Sequence, residues 1–136
     1  MTEALSGLDR INADLVAAVN KESPIDHATL DMDATLIETQ KNDALFSYKG
    51  FKAFNTCWAE KGLILHTESR DGNVPAGHEQ FRVFLRALSL LPPGVKTVCL
   101  RSDTAGYQHD LMAYCDLGAD ERFGRIEFAI GADVTP

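Results

Sequence analysis

HATLDMDATLIET, residues 27–39, is the stretch on which the fold turns. Ala28, Leu30 and Met32 fall on one side of an extended chain and Thr29, Asp31 and Asp33 on the other, because successive strand side chains point to opposite faces. The segment therefore reads as a β-strand with one apolar and one acidic face. Asp31 and Asp33 are two residues apart, about 7 Å along such a strand. A second acidic element, LRSDTAGY at residues 100–107, closes another apolar run, VKTVC at 95–99. Two carboxylates carried on adjacent strand ends can begin a divalent-cation site without histidine or cysteine.

Working outward, SGLDRINADLVAAVNKES (6–23) sets Leu8, Ile11, Leu15, Val16 and Val19 at helical spacing, and Ser23 and Pro24 end that helix. QKNDALFSYKGFKAFNTCWAEKGLILHTESRDGN (40–73) continues as strands. Lys41 to Asp43 and Gly50 interrupt it, Lys61 and Gly62 form a hairpin turn, and Asp71, Gly72 and Asn73 close the last strand. Phe46, Tyr48, Phe51, Phe54 and Trp58 are available to cover a sheet. Their interleaving with Lys49 and Lys52 is also a pattern for base stacking, but a sheet core with solvated lysines suits a chain with so few positive charges.

The period then switches from 2 to 3.6. In GHEQFRVFLRALSLLPPG (77–94), Phe81, Phe84, Leu85, Leu88 and Leu91 make a helical stripe that Pro92 and Pro93 stop. The run 95–103 reads as a short buried strand. TAGYQHDLMAYCDLGAD (104–120) reads as a helix with Tyr107, Leu111, Tyr114 and Leu117 on one side and Gly118 at its C-cap. RIEFAIGAD (125–133) supplies a last strand. A meander followed by crossover helices implies an α/β fold: a mixed sheet, an antiparallel meander of three strands followed by parallel strands, flanked by helices. If the 95–103 strand lies beside the 27–33 strand, Asp33 and Asp103 meet at their carboxyl ends, where such sheets place ligands.

Carboxylates that close repel one another unless a cation lies between them or one keeps its proton. Hard oxygen donors without a histidine cluster favour Mg²⁺ or Mn²⁺ over zinc. The plainer reading is that Asp33 caps the following segment and Asp103 caps a helix beginning near Thr104. Arg101 shares the face of Asp103 and is placed either to orient it or a phosphate, or to make a solvated salt bridge.

Composition narrows the partners. At 136 residues the chain suits one domain with a real core. A net charge of -7 argues against a free-standing nucleic-acid binder, though not against a nuclease core that gathers carboxylates and leaves DNA binding to other segments. No apolar run reaches the ~18 residues of a membrane span. Cys57, Cys99 and Cys115 are odd in number and far apart, and they read as thiols in a reducing, cytoplasmic setting. No signal peptide opens the chain.

Four elements in order, LDMDATL, YKGFKAFNTCWAEKGLILHTESRDGN, VCLRSDTAGY and RIEFAIGAD, resemble the catalytic domain of DDE transposases of the IS4 and IS1380 kind. The shared features are Asp-x-Thr ending the first strand, a Tyr-Lys-Gly segment, Arg-Asp-Gly-Asn after the third strand, and Arg-x-Asp opening a helix. The likeness runs from about Ile25 to Pro136. It implies an RNase H-like fold, with residues 1–24 as an N-terminal helix and linker and 25–136 as a truncated catalytic domain. On this resemblance Asp33 is the first metal ligand and Asp103 the second, with Asp31 a ligand or a supporting partner. The expected cofactor is Mg²⁺ or Mn²⁺, and the expected partners are transposon-end and target DNA in the full-length protein, no membrane, and a homodimer as an open arrangement. The family's third carboxylate is a glutamate on a later helix. Glu127 lies in a strand segment and is a poor substitute, so the chain alone is expected to bind metal weakly and cut nothing.

DMDAT also resembles the Asp-x-Asp-x-Thr signature of haloacid-dehalogenase-type phosphatases, which would make Asp31 the nucleophile and Asp33 the general acid and base. That class wants a helix soon after the motif, a lysine and a paired acidic motif later. Here a strand meander and a single aspartate at LRSD follow. A noncatalytic α/β domain is the third reading.

Overall fold

The alternating stretch forms one long strand at the centre of a five-stranded sheet. The computed structural model describes residues 3–37, 51–71, 79–103 and 106–132. In chain order the elements are α1 (Glu3–Glu22), β1 (His27–Ile37), β2 (Phe51–Trp58), β3 (Leu63–Asp71), α2 (Gln80–Ser89), β4 (Thr97–Ser102), α3 (His109–Asp116) and β5 (Glu127–Ile130). The strands lie in the order β3-β2-β1-β4-β5. β1, β2 and β3 pair antiparallel, while β4 runs parallel to β1 and β5 parallel to β4. The architecture is thus the mixed α/β sheet that the meander and the two crossover helices imply. Tyr48, Lys49 and Gly50, with Phe46, Gly72 and Asn73, lie outside the described residues.

The hairpin falls where Lys61 and Gly62 place it. Gly62 takes φ 62, and its N–H donates to the Ala59 carbonyl at 3.2 Å. Across β2 and β3 the register slips between Thr56 and Cys57. Such a bulge sets two residues of one strand against one of the other, and here it turns both Leu65 and His66 inward.

All three helices pack on one face of the sheet among the described residues. That face carries Ala28, Leu30 and Met32 of β1, Phe54 and Trp58 of β2, and Val98 and Leu100 of β4, all buried. Val16 of α1, Val83 and Phe84 of α2, and Leu111 and Cys115 of α3 close over them. Each such large side chain gains about 1.5–3 kcal/mol by leaving water. Trp58 also donates from Nε1 to the His27 carbonyl at 3.2 Å, tying β2 to the start of β1. The opposite face is not covered by any described helix.

The helices turn differently from the stripes read in the sequence. α2 buries Phe84 and Leu88 of the predicted stripe, with Leu91 just beyond its end and Phe81 packed against the core, but it adds Gln80, Val83 and Ala87 and leaves Leu85 38% exposed. α3 buries Leu111 and Cys115, while Tyr107 and Leu117 stand in solvent. Gly118 does follow the helix end with φ 69, a left-handed conformation that costs glycine nothing. α1 departs furthest. Of its five apolar positions only Val16 is buried, and the helix is held instead by polar contacts. Asn12 donates to the Ile64 and Leu65 carbonyls, and Asp9 accepts from Arg86 of α2. His66, 4% exposed, has its ring nitrogens 3.3 Å from Asp9 and 3.2 Å from Glu68.

The Pro92-Pro93-Gly94 link stops α2, as expected. Its carbonyls are gathered by Arg122, whose guanidinium donates to Leu91, Pro92 and Val95 while stacking 4.5 Å from the Phe123 ring centroid. All three cysteines are free thiols, but where their apolar sequence context implies burial for each, only Cys115 is buried and Cys57 and Cys99, which point to the open face of the sheet, are half-buried. No described helix is long and apolar enough to cross a membrane.

Candidate metal centre

The site grows from the pairing of β1 with β4. Their parallel register sets Leu30 beside Leu100, Asp31 beside Arg101 and Met32 beside Ser102. One residue further along each chain come Asp33 and Asp103, both exposed. Neighbouring strands stand about 4.8 Å apart, so Asp33, within β1, and Asp103, just past the end of β4, are the next positions along two adjacent strands.

Asp33 is not a helix cap. Asp33 lies inside β1, which continues to Ile37 and pairs Asp33 with Asn55 of β2. α3 begins only at His109, with Gln108 in the N-cap position, so Asp103 sits five residues too early to cap it. These boundaries set aside the capping of a following helix by Asp33 and the capping of α3 by Asp103. Instead the Asp103 carbonyl accepts from the Gly106 N–H at 3.0 Å, closing a turn at the end of β4.

Asp31 has a different occupation. Arg101 grips its carboxylate with two parallel bonds, Nε to Oδ1 and Nη2 to Oδ2, each 2.5 Å. This fork matches guanidinium to carboxylate, and it holds the Arg101 proton more firmly than usual, through the Asp31 hydrogen bonds first and its charge second. Asp31 therefore anchors Arg101 through both of its carboxylate oxygens.

The open face around these residues is negative. Cys57 lies opposite Asp31, and its thiol is pushed up by burial first and then by the charges of Asp31 and Asp33. Asn55 beside Asp33 accepts from the Thr67 hydroxyl at 2.9 Å. Glu127, on β5, pairs with Cys99, two residues before Arg101, and so lies back from the carboxyl edge. Among the described residues no group of three or more His, Cys, Asp or Glu could hold a metal ion.

Beneath the Asp103 turn lies a polar node that the sequence reading missed. Gln80 at the start of α2 is fully buried and donates from Nε2 to the Ser102 hydroxyl at 2.8 Å. Its Oε1 has no hydrogen-bond partner among the described residues. Gly106 packs against both residues: a Cβ there would stand 2.5 Å from Ser102 Oγ and 3.0 Å from Gln80 Nε2. Glu79, just before Gln80, takes φ 53, a left-handed conformation rare for a residue with a side chain. The available signal was that Gln80, Val83, Phe84, Ala87 and Leu88 also share one helical face, with a glutamine at its head.

No protein-family model, no curated protein and no solved structure matches this chain.

Proposed function

We propose that this chain is the two-aspartate part of a DDE-type transposase core, with an RNase H-like sheet on which Asp33 and Asp103 hold Mg²⁺ or Mn²⁺ for cutting and joining DNA. The observation that carries the reading is the parallel β1–β4 register, which runs the strand holding the Asp-x-Thr element beside the one that ends in Arg-x-Asp. The strand order β3-β2-β1-β4-β5, with β2 and β3 antiparallel and β4 and β5 parallel, supports the same fold. When bound, a divalent ion there would neutralise charge and activate a hydroxyl for in-line attack on a phosphodiester.

The chain's own residues then divide the labour. Asp33 and Asp103 supply oxygens, and Arg101, fixed by Asp31, keeps one positive group beside them. The third carboxylate and the DNA-binding surface come from outside the described residues, which fits a net charge of -7. A reducing, cytoplasmic setting suits the three free thiols. In the phosphatase alternative, Asp31 would have to give up both bonds from Arg101 before acting as a nucleophile.

Mn²⁺ titration followed by electron paramagnetic resonance tests the site directly. Asp33→Asn and Asp103→Asn are each expected to weaken Mn²⁺ binding by at least about 10-fold, and to abolish strand transfer in a longer protein that supplies the third carboxylate. Unchanged Mn²⁺ affinity in both variants rejects the assignment. Hydrolysis of a generic phosphomonoester that disappears in Asp31→Asn would favour the phosphatase instead.

A further inference from the structure

Gln80 is an unusual residue for its place. It is the first residue of α2 and fully buried, whereas the other buried positions of that helix, Val83, Phe84, Ala87 and Leu88, are apolar. Its Nε2 donates to the Ser102 hydroxyl at 2.8 Å, while its Oε1, shielded from solvent, meets no partner among the described residues. A buried amide satisfied at one end only is less favourable than a well-packed apolar side chain of similar size. The chain also enters α2 through Glu79 at φ 53, a left-handed conformation that residues with a side chain rarely adopt. Folding stability alone accounts for neither residue.

We propose that Gln80 is a positioning residue: held by the core-packed α2, it fixes Ser102 and through it the turn that carries Asp103. Ser102 is the last residue of β4, and Asp103 follows it directly. The Ser102 carbonyl accepts from the Gly131 N–H at 3.2 Å, so this residue is held from α2 on one side and from the segment just beyond β5 on the other. The Asp103 carbonyl in turn accepts from the Gly106 N–H. Gly106 is buried, and a Cβ on it would stand 2.6 Å from Ser102 Cβ and 3.0 Å from Gln80 Nε2.

That close packing leaves the turn little freedom to settle elsewhere. A glutamine at the head of α2 gives up some folding stability for a directional bond at the point where β4 passes into the turn. Contacts of this kind, one step removed from a ligand, commonly set its orientation. That the turn serves a cation rests on the metal reading of Asp33 and Asp103; that Gln80 holds the turn does not.

Amide hydrogen exchange of the whole chain, followed by nuclear magnetic resonance, tests this with Gln80→Leu and with Ser102→Ala, which removes only the hydroxyl. The Gly106 N–H should exchange at least about 10-fold faster in each variant. The amides of the paired core residues Leu30 and Leu100 should stay protected, and the melting temperature should hold or, for Gln80→Leu, rise. Because both variants break one hydrogen bond, the double variant should exchange no faster than the single ones. Mn²⁺ affinity should fall by about 10-fold alongside, a loss without loss of stability that a merely structural contact does not produce. Faster Gly106 exchange in both variants, with no Mn²⁺ bound by the parent chain, upholds the role of Gln80 and rejects the metal reading instead. Should Gln80→Leu fail to fold, Ser102→Ala decides. Gly106 exchange that is unchanged in Ser102→Ala, or that rises there only in step with every core amide, overturns the proposal.

Discussion

Leu30, Met32 and Leu100 on one face of the sheet and Asp31, Asp33 and Arg101 on the other come from the same two strands and differ only in parity. The helix-covered face is apolar and nearly dry, and its side chains hold the fold together. The open face is charged, and its best-defined interaction is the Arg101 grip on Asp31, with side chains 53 and 37% exposed. The contrast teaches that stability and chemistry are assigned residue by residue along a strand. Changes on the two faces should therefore separate cleanly, large in stability on one and small on the other.

The strongest attack on the covered face is Trp58→Ala. It removes a fully buried ring and its hydrogen bond to the β1 backbone, and should cost about 3–5 kcal/mol. Urea denaturation would show it as a lowered midpoint, and an unchanged midpoint would contradict the packing described. A smaller loss is expected at the seam between the faces. Gly106→Ala drives a methyl group against Ser102 and Gln80, for about 1–3 kcal/mol, and should also weaken Mn²⁺ binding because the turn carrying Asp103 must shift. On the open face, Arg101→Gln should leave the urea midpoint almost where it was, since an exposed pair is screened by water and salt. Its readout is instead the loss of the salt-dependent part of stability.

The smallest effect is one of pH and belongs to the covered side. Tyr114 is pushed up from 10.0 to about 12 by burial first and then by its bond to Asp120. The native state thus keeps a proton that the unfolded chain releases. The stabilisation is complete below pH 10 and is lost as pH rises from there through about 12. Tyr114→Phe should flatten that alkaline limb in thermal melts taken at successive pH values. Its ring contact with Phe81, at 5.1 Å between centroids, is retained.

Much of this was legible before any coordinates. The alternation of β1, the Lys61-Gly62 hairpin, the stop at Pro92 and the glycine after α3 are local facts, set by side-chain size and backbone freedom within a few residues. The faces of the helices were not. A helix with apolar residues over a wide arc can seat any of several neighbouring stripes, and only its partners decide. For α2 that choice buried Gln80 rather than Leu85, and for α1 it preferred Asn12 and Asp9 over Leu8 and Ile11.

The site divides in the same way. Strand periodicity alone put Asp31 and Asp33 on one face, because a two-residue repeat needs no knowledge of what lies alongside. That Arg101 takes hold of Asp31 was decided by how β4 docks beside β1. That register comes from burying Leu30 and Leu100 together on the far side of the sheet, seventy positions apart in the chain, a distance no local pattern spans.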